Sequence, residues 1–155
     1  MTPWLSASLA PYNSCFRETM RDLVFGGARL NSLVGDFGLL VLRVFAGLSL
    51  ALAHGMAKLP PSAPFMQGVE ALGLPGWTAW LSGFAETFGG LALAAGLATR
   101  LSAFTIAINM SVAGFLRHAQ DPYQIKELAF LFLAIAVMFA CVGGGRFALD
   151  RLIKK

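Results

Sequence analysis

A chain of 155 residues that is 57% hydrophobic and only 13% charged is far from the roughly 25% charged composition of soluble domains. Its length and its mean hydropathy of +0.68 point to one domain whose solvent is lipid. The net charge of +4 is small and sits mainly in flanks and short loops, which argues against a nucleic-acid partner and fits the Lys/Arg bias of membrane proteins. Cys15 and Cys141 lie 126 residues apart with no CxxC, so neither a dithiol redox pair nor a structural zinc site is expected.

Residues 1–14 hold Pro3, Pro11 and Trp4 without periodicity, and no charged n-region runs into an apolar h-region, so no cleavable signal peptide is expected. From Cys15 to Val34, Phe16, Met20, Leu23 and Leu30 recur opposite Arg17, Glu18, Arg21, Asp22 and Arg29. That spacing predicts an amphipathic helix, interrupted at Gly26-Gly27, lying on the membrane or docking on a partner.

Four long apolar stretches follow, Phe37–Ala57, Trp77–Ala98, Leu101–Leu116 and Leu128–Val142. About 20 residues cross a bilayer core, and only helices satisfy their own backbone there. The expected fold is all-α: a polytopic membrane protein with a four-transmembrane-helix bundle and an N-terminal amphipathic helix. The expected organisation is an extension over 1–36, a membrane domain over 37–150 and a basic tail over 151–155.

Arg17, Arg21, Arg29, Arg100, Arg146, Arg151, Lys154 and Lys155 make eight basic residues on one side, against Lys58, Arg117 and Lys126 on the other. Positive-inside places both termini in the cytoplasm and the loop after Lys58 outside, with Trp77 and Trp80 at the outer interface. Between its prolines and glycines that loop predicts a short surface helix over Phe65–Leu72, able to lid an outward-facing cavity. The very short turn at 96–100 makes the second and third helices antiparallel neighbours.

Each span carries a polar group, and such groups usually face a bundle interior. Arg43, His54 and Lys58 are 11 and then 4 residues apart on the first, roughly one side of a 3.6-residue helix. Glu86, nine residues past Trp77, is about 13 Å deep at helical rise. It lies in a stripe of Ala79, Gly83, Gly90 and Ala94 that invites a close helix neighbour. Ser102, Thr105, Asn109 and Ala113 form a third stripe ending near Arg117 and His118, and Glu127 opens a fourth face through Leu131, Ala134, Met138 and Cys141.

Together these residues describe a polar funnel opening outward, with a carboxylate at its base. His54 and Glu86 are the candidate catalytic pair, because both residue types exchange protons in buried sites. Arg43, Lys58, Asn109, Arg117, His118 and Glu127 are candidates for binding substrate. A structural reading stands beside each: Glu86 as a helix-holding ion pair, Arg43 as a side chain snorkelling to the cytoplasmic surface, His118 as an exposed loop residue. No HxxxH or ExxH spacing supports a metal, and no paired histidines support a b-type haem.

The segments LVLRVFAGLSLALAHGMAKL (40–59), GFAETFGGLALAAGLATRLSAF (83–104), RHAQDPYQIKELAFLFLA (117–134) and GGGRFALD (143–150) resemble, in order, the DoxX family of small bacterial membrane proteins. The departures are Phe147-Ala148, where the pattern has an aromatic–Ser pair, and the extension before Gly38. The resemblance implies a four-helix protein of the bacterial inner membrane linked to quinone-coupled redox, in some relatives as an oxidoreductase subunit. It fixes fold better than reaction.

The expected function is a membrane component of a quinone-linked oxidoreductase, with quinone or quinol as ligand and no covalently bound cofactor. Its partners would be membrane lipids and a redox subunit or larger respiratory complex, with self-assembly left open. Two alternatives stand: a non-catalytic accessory subunit of a larger membrane complex, and a small-solute or proton carrier. The carrier reading ranks lowest, since inverted repeats and broken helices are missing from the pattern.

Overall fold

The computed structural model describes residues 24, 26 and 32–153. The first helix, α1 (Leu33–Leu48), starts where Ser32 Oγ accepts the Gly35 amide at 3.3 Å, satisfying one of the orphan donors of its first turn. It continues as a π-helix over Ser49–Gly55 and a 3₁₀ turn over Met56–Lys58. The short α2 (Ala63–Glu70) is capped by Ser62 and carries Pro64 in its first turn, where proline's missing amide costs nothing. Then come α3 (Thr78–Ala95) and α4 (Thr99–Ser111), the latter extended by a π-helix over Val112–Arg117. The long α5 (Tyr123–Val142) and the single turn α6 (Asp150–Ile153) complete the fold. The described chain is all-helical. The predicted amphipathic segment Cys15–Val34 lies almost wholly outside the described residues.

Three helical stretches are long and apolar enough to cross a membrane: Leu33–Lys58, Thr99–Arg117 and Tyr123–Val142. The remaining long helix, α3, has 18 residues, about 27 Å at helical rise. It packs between α1 and α4 and buries Ala79, Gly83, Glu86, Thr87, Gly90 and Leu93. The first span begins at Leu33, four residues before the expected Phe37, so Asp36 belongs to it and not to the extension.

Small residues set the spacing of α1 and α3. A Cβ on Gly47 would lie 2.5 Å from the Gly90 carbonyl oxygen, and one on Gly90 would lie 2.7 Å from that of Gly47. A Cβ on Gly55 would meet the Thr87 amide at 2.5 Å. Backbone contact of this kind is what lets helices associate in lipid, where burial of apolar side chains gives little net drive. Gly114 does the same between α4 and the Phe130 ring of α5, where a Cβ would lie 2.9 Å away. The core at the centre of the bundle gathers Ala46, Leu50, Leu93, Ala103, Ile106, Met110, Phe132, Ala136 and Phe139.

The predicted face of α5 needs correction. Glu127, Leu131, Ala134 and Cys141 are exposed, and the helix buries Phe132, Ala136 and Phe139 instead. Both sets have helical spacing in an almost uniformly apolar helix, so periodicity alone does not choose between them. The large rings carry more burial energy and take the interior.

The end of the bundle holding the α3–α4 turn is latched by the segment after α5. Gly96 adopts φ 74° as the helix stop of α3, and Ala98 stands at φ 44°. Asp150 replaces a local cap: its carboxylate oxygens accept the Ala98 and Thr99 amides at 2.5 and 2.8 Å. Arg43, 1% exposed, donates from Nη2 to the Phe147 carbonyl at 3.2 Å, and Asp36 accepts the Arg146 amide at 3.1 Å. Arg43 therefore does not snorkel. It is sealed in, and Gly96 and Gly144 leave the room its guanidinium fills.

Candidate functional site

At the opposite end of the bundle, the close crossing of α1 and α3 carries the end of the first span over Glu86. Lys58 Nζ donates to Glu86 Oε1 at 2.5 Å, and Asn109 Nδ2 of α4 donates to the same oxygen at 2.8 Å. Glu86 is 1% exposed, while the Lys58 side chain keeps 30% of its surface. The second carboxylate oxygen, Oε2, is buried with no hydrogen-bond donor among the described residues. A buried carboxylate with one oxygen doubly satisfied and the other bare is a costly arrangement to keep for packing alone.

Glu86 stands in the wall between two cavities. The larger, about 730 Å³, lies between α3 and α4 under α2. Phe65, Val69 and Leu72 roof it, Leu81, Phe84, Ile108 and Val112 wall it, and Lys58, Glu86, Asn109, Arg117 and His118 supply its polar groups. The expected lid is thus present, two residues earlier than expected, and it is tied to the floor: Lys58 Nζ lies 5.7 Å from the Phe65 ring centroid, within cation–π range. Thr105, Asn109 and Ala113 of the third stripe line this space, with Asn109 bonded across to Glu86 of α3.

The smaller cavity, about 160 Å³, lies on the α5 side and is lined by His54, Lys58, Glu86 and His118 among Leu50, Met110, Ile125, Leu128, Ala129 and Phe132. Lys58, Glu86, Ala113 and His118 border both. His54 meets Phe132 edge to face at 6.1 Å between centroids.

Of the residues singled out in the sequence, His54, Glu86, Lys58, Asn109, Arg117 and His118 come together here. The candidate pair His54 and Glu86 shares the small cavity, but His54 does not line the large one. Arg43 belongs to the latch at the other end. Glu127 lines neither cavity, because Ile125, Leu128, Ala129 and Phe132 form the facing side of α5 and Glu127 points some 200° from Ile125 at 100° per residue. That corrects its expected role as a substrate-binding residue.

Three features escaped sequence reasoning. Asp121 Oδ2 pairs with His118 Nδ1 at 2.6 Å, and the only trace of this in the sequence is the i,i+3 spacing. The Phe65 contact needed the lid's position. The π-helical stretches, which bear His54 and Arg117, leave no clear composition signal. They wind more slowly than an α-helix, so Arg43 and His54 do not share the face that an unbroken 3.6-residue period predicts.

The DoxX family model matches residues 38–119. The chain is 32% identical over 124 residues to the inner membrane protein YqjF of Escherichia coli (strain K12), covering 77% of this chain and 95% of that protein. It is 28% identical over 121 residues to the putative oxidoreductase CatD of Bacillus subtilis (strain 168), covering 77% and 90%. No solved structure matches it significantly. With the family pattern spanning more than half its length and a helical architecture built for lipid, the chain belongs to the DoxX family of membrane proteins.

Proposed function

We propose that this protein is the ligand-binding membrane component of a quinone-linked redox system of the inner membrane, with both termini in the cytoplasm. The observation that carries the reading is the large cavity: an apolar space of about 730 Å³ that ends on the Lys58–Glu86–Asn109 cluster. A mostly apolar cleft with a few convergent polar groups is the usual form of a small-molecule site. A quinone ring would lie between Phe84, Leu81 and Ile108 under the Phe65 lid, its tail leaving towards lipid. One carbonyl oxygen would accept from Lys58 or Arg117, and a quinol hydroxyl would donate to Glu86 Oε2. Electrons pass to or from a partner protein in this reading. The descriptions of the two relatives, an inner membrane protein and a putative oxidoreductase, support the compartment and the class.

The test is binding of decylubiquinone to purified protein in nanodiscs. Glu86→Gln and Lys58→Met are expected to weaken it by about tenfold or more, the loss of one charged hydrogen bond. His54→Ala is expected to leave it within about twofold, a fraction of a kcal/mol. Equal affinity in the wild type, Glu86→Gln and Lys58→Met would remove the site.

A further inference from the structure

We propose that the smaller cavity is a water-filled vestibule through which Glu86 exchanges protons with the aqueous phase at the His118 end of the bundle. The inference rests on the reading of Glu86 as a ligand's floor and adds a second access to it. Glu86 Oε2 is buried without a protein donor. His54, Lys58 and His118 border the same cavity, so four polar side chains converge on about 160 Å³. A water needs roughly 15 Å³ of such space and two to four polar partners. An apolar void stays dry, but His54, Lys58, Glu86 and His118 give this one donors and acceptors opposite its apolar α5 wall.

The groups facing Glu86 can be named from each neighbouring element. From the end of α1 they are His54 and Lys58; from α4 and its extension, Asn109, Arg117 and His118. From α5 the facing residues, Ile125, Leu128, Ala129 and Phe132, carry no charge, and from α2 neither do Phe65 and Val69. Among the described residues only His118 joins this set to a surface carboxylate. Its side chain is 32% exposed, and Asp121, 39% exposed, holds its Nδ1. That leaves Nε2 as the exchanging nitrogen, since a carboxylate on Nδ1 fixes the ring's tautomer and orientation. The relay then runs from solvent to His118, through cavity water, to Glu86. The large cavity receives the ligand and the small one receives protons.

Two measurements test this, and neither uses a quinone, so it fails separately from the ligand reading. In a background with Cys15→Ala and Cys141→Ser, single cysteines replace Ala129, in the small cavity, or Ala134, exposed on α5. Thiols react as thiolates, which form in water, so a small cationic methanethiosulfonate should modify Ala129→Cys at least about tenfold faster than Ala134→Cys. Equal rates would overturn the vestibule. The second measurement follows the infrared band of protonated Glu86, identified by its loss in Glu86→Gln, as the protein in nanodiscs is moved into D₂O. Exchange should be complete on mixing in the wild type and at least about tenfold slower in His118→Ala, with Asp121→Asn between them. The same rate in all three would overturn the relay.

Discussion

Lys58 and Glu86 show how unequal the two partners of an ion pair can be. Glu86 is sealed in while Lys58 reaches the cavity surface, so removing the lysine strands a carboxylate whereas removing the carboxylate frees a solvated amine. Lys58→Met is expected to lower stability by about 1–3 kcal/mol, less than for a fully buried pair, and Lys58→Met with Glu86→Gln to recover most of the loss. Thermal unfolding in one detergent across the four proteins of that cycle gives the coupling directly; simple additivity would show that the pair does not hold the helices. Glu86 and Lys58 were legible in the sequence because a charge in an apolar span asks for a partner. Glu127 misled for the same reason: a charge near a helix end can stay at the interface, and its face turned out to be the exposed one.

Among the elements, the turn between α3 and α4 depends on a residue some fifty positions away. Asp150 takes both amides that open α4 and lies near the Arg43 charge. Asp150→Ala should cost about 2–4 kcal/mol, a lost cap together with a buried guanidinium left less compensated. Ala98→Gly should go the other way and gain about 1 kcal/mol, since a left-handed backbone at φ 44° is strained for alanine and free for glycine. Both are read as shifts in unfolding midpoint, and a destabilised Ala98→Gly would contradict the conformational argument. The chain pattern showed that residues 96–100 form a tight turn, because five residues leave no other route. It could not show the cap, because a cap supplied from another part of the chain has no local spacing to read.

For the whole molecule, the order α1, α3, α4, α5 and the gathering of most candidate residues at one end followed from apolar lengths and from where polar groups interrupt them. Orientation is an expectation from charge counting alone. A C-terminal fluorescent-protein fusion should glow and a C-terminal alkaline phosphatase fusion should stay inactive; the reverse pattern would turn the bundle over and move both cavities to the cytoplasmic side. What the sequence left open was the division of one funnel into two chambers, because that depends on where α1 and α4 leave the regular helix. The π-helical stretch Ser49–Gly55 is where the chain stores this choice. A π turn holds one more residue than an α turn spans, so deleting a single residue such as Leu52 should let α1 close into a continuous α-helix. Gly47 would keep its place against Gly90, and because the wider turn had absorbed the deleted residue, His54 and Lys58 would keep close to their present direction beside Glu86. The stretch is thus one residue's worth of slack, and a protein shortened by that residue should still insert, pack and hold the Lys58–Glu86 pair.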